Sequence, residues 1–120
     1  MTHTLTALLT RLRSDHDLDL AAVTSDGVVA AVDSTPGLDA EAVCNTVGDL
    51  VLLNAALGAE MDRGSTRMSL IEYERGAVVI TPLKTGEDLV LLSTDTTNLG
   101  GVRIAARRFQ EAYKGDEVRA

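Results

Sequence analysis

The spacing of apolar residues predicts a helix at the start of the chain, followed by a pair of strands. Four leucines recur at the spacing of one helical face: Leu5, Leu8, Leu9 and Leu12. The segments Leu18 to Thr24 and Val28 to Val32 have the composition of strands. Asp26-Gly27 between them predicts a hairpin, because both central positions of a type I′ turn need a positive φ.

The second predicted helix has more apolar surface than one packed face requires. It begins after an N-cap at Asp39 and runs to about Met61. Its main stripe comprises Val43, Val47, Leu50, Val51, Asn54, Leu57, Gly58 and Met61. An adjoining strip of small or apolar residues comprises Gly48, Leu52, Ala55 and Ala59. A single packed face needs a stripe of only about 100°. The helix is therefore predicted to cover its own sheet and a second surface, and Gly48, Ala55 and Ala59 would let another helix approach closely.

Three further strands and a closing helix complete the predicted order. The strands are Arg67 to Glu74, Ala77 to Thr81 and Asp88 to Ser93. A tight turn at Arg75-Gly76 joins the first two, and a longer, exposed connection from Pro82 to Glu87 is predicted between the last two. The closing helix, with Asn98 as its expected cap, has an apolar stripe of Leu99, Val102, Ala105, Ala106, Phe109 and Tyr113. Hairpin links favour antiparallel pairing. The predicted fold class is α+β, with a central five-stranded, mostly antiparallel sheet flanked by helices on both faces, in the order α-β-β-α-β-β-β-α. We expect one domain over residues 1–114 and a flexible polar tail over 115–120.

Composition and charge narrow the classes of partner. The chain has 120 residues, which fits one domain, and a formal net charge of -7. A surface of that charge repels phosphate backbones and anionic lipids, so neither nucleic acid nor membrane is expected as a partner. The aromatic residues are few (Tyr73, Phe109 and Tyr113), which leaves little for base stacking.

The chain is expected to be cytoplasmic. Its single cysteine, Cys44, excludes an internal disulfide and suits a reducing compartment. Residues 1–12 lack the continuous apolar run of a secretory signal. The apolar segment Val43 to Ala59 is interrupted by Asn45, Asp49 and Asn54, so no membrane-spanning segment is expected either.

The residues that might carry chemistry favour structural interpretations. The histidines are His3 and His16, and the run Ser14 to Asp17 around the second one is typical of a solvated helix-to-strand linker. Cys44 lies beside an apolar stripe, which favours a buried or interface thiol over a nucleophile. One cysteine and two scattered histidines do not make a zinc site. No catalytic residue, cofactor or metal is therefore predicted.

Two groups near the end of the chain leave alternatives open. Gly100-Gly101 opens the closing helix, where free N–H groups can bind an anion, although tight packing is favoured. Arg103, Arg107 and Arg108 can contact a phosphate or an acidic partner, although a solvated face with i,i+4 pairing is favoured. Glu72 and Glu74 alternate along a strand, where charges usually face water.

An ordered set of segments resembles the roadblock/dynein-light-chain family, particularly its small bacterial members. The set comprises the hairpin Ala22 to Ala30, the central helix rich in Ala, Leu and Val, the segment Ile71 to Val79, and Asn98 to Arg103. The resemblance covers nearly the whole chain. One departure lies before the first strand, where such proteins often place a glycine and this chain has Asp17-Leu18-Asp19.

The resemblance implies a profilin-like roadblock fold and a homodimer in which the third strands pair edge to edge and the central helices pack together. The implied role is a non-enzymatic platform for a small Ras-like GTPase or an associated signalling protein. The expected dimer interface comprises Gly48, Leu52, Ala55, Ala59, Ser69, Ile71 and Tyr73. Possible contacts with the partner are Asp49, Leu53, Ala56 and Glu60. The alternative function is a small-ligand sensor domain of a bacterial signalling system, which would need a closed apolar cavity.

Overall fold

The helices and strands follow the order that the apolar pattern predicts. A computed structural model describes residues 4–115. Within that range the elements are α1 (Leu5–His16), β1 (Leu18–Ser25), β2 (Val28–Ser34), α2 (Ala40–Glu60), β3 (Ser69–Tyr73), β4 (Gly76–Pro82), β5 (Asp88–Ser93), a short 3-10 helix (Thr96–Asn98) and α3 (Leu99–Ala112). The predicted tail lies, beyond Gly115, outside the described residues.

The turn and cap residues adopt the conformations that the chain needs at these positions. Asp26 and Gly27 have φ of 52° and 80°, as the predicted hairpin turn requires. The Ala42 N–H donates to Asp39 Oδ1 over 3.1 Å, which confirms the predicted cap of α2. Asp17 ends α1 with φ of 53°, in the left-handed region that glycine adopts more readily than other residues.

The sheet has the order β2-β1-β5-β4-β3, and every neighbouring pair is antiparallel. The central strands β1 and β5 are the first and last along the chain, so their pairing joins the two halves of the fold. A bulge between Val23 and Thr24 interrupts the β1–β2 register. The edge strands are β2 and β3, and the free edge of β3 therefore remains available for pairing.

Helices cover both faces of the sheet, each over its own apolar cluster. α1 and α3 lie on one face, where Leu9, Leu89 and Val102 are fully buried. α2 lies on the other face over a smaller cluster that includes Cys44, Ile80 and Val90. α2 packs mainly on β2 and β1, at one side of the sheet. The β3 side of that face therefore carries less cover from within the protomer.

Three local predictions are wrong. Asn98 occupies the N-cap position of α3 but makes no side-chain cap hydrogen bond, and Asp95 caps the short 3-10 helix by accepting from the Thr97 N–H over 2.8 Å. His16 is the last residue of α1 rather than part of a linker, because the left-handed residue that ends the helix is Asp17. The predicted exposed connection after β4 contains a buried residue, Leu83, which extends the core on the α1/α3 face.

Candidate protein-interaction surface

The outer face of α2 exposes large apolar side chains to solvent. Leu52 and Leu53 are 71% and 65% exposed, and Leu57 and Met61 are 54% and 51% exposed. Of the most apolar stretch of this helix, only 11% of the residues are buried in the protomer. Packing on its own sheet therefore leaves much of the apolar surface of α2 exposed, as the width of its apolar stripes predicts.

By length and composition alone, α2 could cross a membrane, and it is the one helix among the described residues that could. The sequence-based expectation that no segment is long and apolar enough was therefore wrong, because the leucines and valines of α2 outweigh the polar Asn45, Asp49 and Asn54. One such helix is weak evidence for a membrane span, because helices of soluble proteins can meet the same criterion. In this fold one side of the helix packs against the sheet, through Cys44 and Val47.

The packed side of α2 differs from the predicted stripe toward its C-terminal end. Cys44 and Val47 are buried as expected, and burial raises the pKa of the Cys44 thiol. The prediction that Leu57 and Met61 belong to the packed stripe is wrong, since both are about half exposed. α2 packs mainly on β2 and β1, so its last turns have little of the sheet beneath them.

Gly48 lies against the β1–β2 turn. A Cβ atom at this position would stand 2.7 Å from the Cα of Gly27 and 3.0 Å from its nitrogen. The small size of Gly48 therefore has a cause within the protomer. Its predicted place in a dimer interface stays a prediction, but the close approach of a second helix is not needed to explain the glycine.

The edge strand β3 lies on the same side of the protomer as the outer face of α2. Ser69 and Ile71 are register partners of Ile80 and Val78, which belong to the cluster under α2. Residues opposite each other in a ladder share a face. Tyr73, two residues farther along, therefore has the same orientation, and it is 58% exposed.

One hydrogen bond connects the helix to the edge strand. The Asn54 side chain donates from Nδ2 to Ser69 Oγ over 2.8 Å. This bond explains a polar residue in the otherwise apolar stripe of α2. It also makes α2 and β3 neighbouring parts of one surface, which we call the α2/β3 surface: Leu52, Leu53, Leu57 and Met61 of α2, with β3 and its Tyr73.

The predicted interface and partner residues lie on α2 and β3. On α2, those that are exposed are Asp49, Leu52, Leu53, Ala55, Ala56, Ala59 and Glu60. Gly48, Ser69 and Ile71 are half-buried. Their contacts with a second copy or a partner stay predictions. Sequence reasoning missed the exposure of Leu57 and Met61, which only the length of α2 relative to the sheet could have indicated.

The side chains considered for catalysis or metal binding lie apart from one another in the fold. His16 ends α1 on one face of the sheet, whereas Cys44 is buried under α2 on the other. Among residues 4–115, no group of three or more His, Cys, Asp or Glu residues could hold a metal ion. A Cβ atom at Gly101 would lie 2.7 Å from Asn98 Oδ1, the end of a side chain that can rotate away, and a Cβ atom at Gly100 would meet nothing within 4 Å. The predicted tight packing at this glycine pair is therefore weak.

Carboxylates meet near the N-terminal half of α2. A small groove of about 130 Å³ is lined by Asp26, Asp49 and Asp88 together with neutral residues. Burial, and then the nearby charge of Asp26, raise the pKa of Asp88. This groove adds acidic character to the end of the α2/β3 surface at which β1 and β2 turn.

Comparison of the fold with solved structures identifies close structural relatives. No protein-family model matches the chain, and no curated protein matches it by sequence. MglB of Myxococcus xanthus matches with a TM-score of 0.81 and 17% identity, covering 88% of each chain. A roadblock/LC7 domain from Streptomyces avermitilis matches with a TM-score of 0.80 and 18% identity, covering 91% of this chain and 93% of that one.

A second roadblock/LC7 domain from Streptomyces avermitilis is more similar in sequence. It shares 28% identity over 92% of this chain and 99% of that chain, with a TM-score of 0.72. These matches cover 88–92% of the chain. The chain has the roadblock/LC7 fold, and its architecture is similar to that of MglB.

Proposed function

We propose that this chain is a non-enzymatic homodimeric scaffold that binds a small Ras-like GTPase or an associated signalling protein. The observation that carries the proposal is the α2/β3 surface, where exposed leucines on a helix adjoin the free edge of a sheet. Exposed apolar patches of this kind mark sites of protein association. A second copy of the chain offers both an apolar helix and a pairing strand.

Edge-to-edge pairing of two β3 strands has few acceptable registers. An antiparallel pair centred on Glu72 would place two like charges opposite each other, which is unfavourable. A pair centred on Ile71 instead sets Ile71 opposite its copy and Ser69 opposite Tyr73 of the other subunit. All three side chains then face the same side as α2. We propose this register, because it joins the apolar residues of both strands beneath the two α2 helices.

The GTPase part of the proposal rests on the roadblock fold and on the family resemblance. Pairing two α2 helices would place two copies of Asp49, Leu53, Ala56 and Glu60 on a composite surface. Each protomer alone has an apolar centre with acidic neighbours at this place. A composite surface with an apolar centre and a charged rim suits a protein partner better than a small molecule. Fold alone does not determine function, so the partner requires a direct test.

The dimer is tested by multi-angle light scattering at micromolar concentration. We expect a mass of two chains. Ala55→Arg or Ala59→Arg should yield monomers, because a long charged side chain would enter the helix contact. Ala42→Arg is the matched control, since Ala42 is exposed on the same helix but outside the α2/β3 surface. A monomeric parent protein, or dimers that persist in both variants, would contradict the proposed interface.

The β3 register is tested by cysteine cross-linking. Ile71→Cys should form a disulfide between subunits under mild oxidation, because the two side chains would be about 4.5–5.5 Å apart at Cβ. Glu72→Cys is the control, since its copy would lie on the diagonal and too far away. The buried Cys44 does not compete. Cross-linking of Glu72→Cys instead would overturn the register and leave the dimer itself standing.

The partner is tested by capture from native lysate, followed by binding measurements with purified small GTPases in both nucleotide states. Binding should be lost in Leu53→Asp and retained in Ala42→Arg. Failure to capture any small Ras-like GTPase, together with failure of purified candidates to bind, would refute this part. The dimer would be unaffected by that outcome.

A further inference from the structure

A second groove lies on the opposite face of the protomer, between α1 and α3. It has a volume of about 710 Å³. Residues from one continuous face of each helix line it, with Leu8 and Leu12 from α1 and Ile104 and Phe109 from α3 among them. The two helices pack on the sheet and make few contacts with each other, so the space between them is open.

The floor of this α1/α3 groove is apolar and partly exposed. Ile104 is 55% exposed, one of the more exposed large apolar residues of the chain. Leu8, Leu12 and Phe109 are half-buried. The stretch of α3 that lines the groove, from Gly101 to Tyr113, is about 18 Å long at 1.5 Å per residue. A ligand of about three helical turns would fill that length.

Positive charge surrounds the α1/α3 groove although the whole chain is acidic. α1 carries two arginines and one aspartate, and α3 carries three arginines and one glutamate. α2, by contrast, carries three acidic residues and no basic one. The charge of the domain is therefore polarised across the sheet, with basic residues on the α1/α3 side of a protein whose net charge is -7.

The arginines at the groove are available to a partner. Arg13 forms an ion pair with Asp33 over 3.2 Å and donates to Thr35, so it is already engaged. Arg11 and Arg108 line the groove, are exposed, and form no ion pair with another described residue. Asp15 is the one carboxylate among the lining residues. An apolar floor with two unpaired arginines selects a ligand that is itself apolar on one side and acidic on its edges.

We propose that the α1/α3 groove binds an acidic amphipathic helix of a partner protein. The apolar stripe of such a helix would pack on Leu8, Leu12 and Ile104, and its carboxylates would pair with Arg11 and Arg108. A helix fits a channel between two other helices, because ridges of side chains pack into the groove they form. The occupant is a protein segment rather than a lipid surface, because the binding residues line a concave channel rather than a protruding face.

This groove is separate from the α2/β3 surface. The two lie on opposite faces of the sheet, so the groove should bind its helix whether or not the chain is dimeric. A homodimer would carry two such grooves. A monomeric protein would therefore not contradict helix binding by the groove. Equally, a groove that binds no helix would not contradict the proposed dimer.

The test uses a fluorescent peptide of about 12 residues, which is about three helical turns, with leucines at helical spacing and glutamates elsewhere. Its binding to the full chain is measured by fluorescence anisotropy. We expect saturable binding with one peptide per protomer, weakened by salt. A matched peptide with lysines in place of the glutamates should bind at least about tenfold more weakly, because the groove arginines repel it. Vesicles containing anionic phosphatidylglycerol serve as the lipid probe.

Variants assign the binding to the groove. Arg11→Glu combined with Arg108→Glu should reverse the preference between the two peptides. Ile104→Ser should weaken binding of the acidic peptide about tenfold, because a half-exposed apolar contact is lost. Val28→Ser is the matched control, since Val28 is similarly exposed but lies on β2, away from the groove. Circular dichroism of each variant verifies folding.

Three outcomes would overturn the proposal. Equal binding of both peptides would show that charge does not select the ligand. Unchanged peptide preference in the doubly charge-reversed variant, shown to be folded, would place the binding elsewhere. Binding to anionic vesicles with no binding to the acidic peptide would assign the basic face to a lipid surface instead.

Discussion

Replacing Gly48 by alanine tests the close contact between α2 and the β1–β2 turn. The added Cβ atom would stand 2.7 Å from the Cα of Gly27, whereas ordinary contacts begin at 3.4 Å. Both opposing atoms belong to the backbone of a turn, so no side chain can rotate away. Asp26 and Gly27 hold positive φ values, which leaves the turn little freedom to adjust. The helix and the turn must therefore separate by several tenths of an ångström.

The expected change in the free energy of unfolding follows from two opposing effects of the added methyl group. Overpacking a tight contact costs about 1–3 kcal/mol. Alanine in a helix interior recovers about 0.5–1 kcal/mol relative to glycine. We expect Gly48→Ala to lower the free energy of unfolding by about 1 kcal/mol. In a domain of this size that corresponds to a decrease of roughly 4 °C in Tm.

The assay is thermal and urea unfolding followed by circular dichroism. The protomer concentration is held fixed, because association with a second copy would otherwise shift the apparent stability. Gly100→Ala is the matched control: it places alanine in α3, where a Cβ atom meets nothing within 4 Å. The control should be as stable as the parent protein or slightly more stable.

Unchanged stability of Gly48→Ala would refute the claim that the contact with Gly27 requires a glycine. If Gly48→Ala unfolds like the parent protein but the dimer dissociates more readily, Gly48 is small for the sake of a neighbouring helix. That was the interpretation suggested by the sequence. If stability falls and dimer affinity is unchanged, the contact with Gly27 is the cause.

Three further predictions concern single residues. Asp17→Gly should raise the free energy of unfolding by about 0.5–1 kcal/mol, measured by urea titration. The substitution relieves a left-handed φ and removes a negative charge from a helix C-terminus, and equal or lower stability would contradict this prediction. Burial, and then Asp26, raise the pKa of Asp88, so its ionised form disfavours the fold, and this cost disappears as pH falls through the folded-state pKa. Asp88→Asn should therefore raise Tm at pH 7 and lose that advantage in acid; a pH-independent difference would argue against the charge. Cys44, buried and with a raised pKa, should react with a thiol reagent at pH 7.5 only as fast as the protein opens, and rapid labelling of the folded protein would contradict its burial.

The order of elements was predictable because each is encoded over a short stretch of chain. The Asp26-Gly27 turn and the Asp39 cap act through atoms only two or three residues apart, and both predictions were confirmed. The cap prediction at Asn98 failed for a reason beyond its own residue type. Asp95 starts a 3-10 turn just before α3, and the Asn98 side chain lies beside Gly101 instead.

The interaction surface was predictable in kind but not in detail. The wide apolar circumference of α2 indicated that one sheet could not cover it, and the exposure of Leu52 agrees with that inference. The sequence could not show where the sheet ends beneath the helix. Leu57 and Met61 therefore seemed part of the packed stripe, although they lie over little of the sheet.

The sequence by itself determined which segments are helices and strands, where they turn, and that α2 has apolar surface to spare. These properties depend on periodicity and on the φ preferences of neighbouring residues. Only the tertiary structure decided that β1 and β5 pair at the centre, that Gly48 meets Gly27, and that α1 and α3 leave a basic, apolar groove between them. Each of these joins residues distant in the chain, and their separation depends on how helices and strands pack together, which no local pattern encodes.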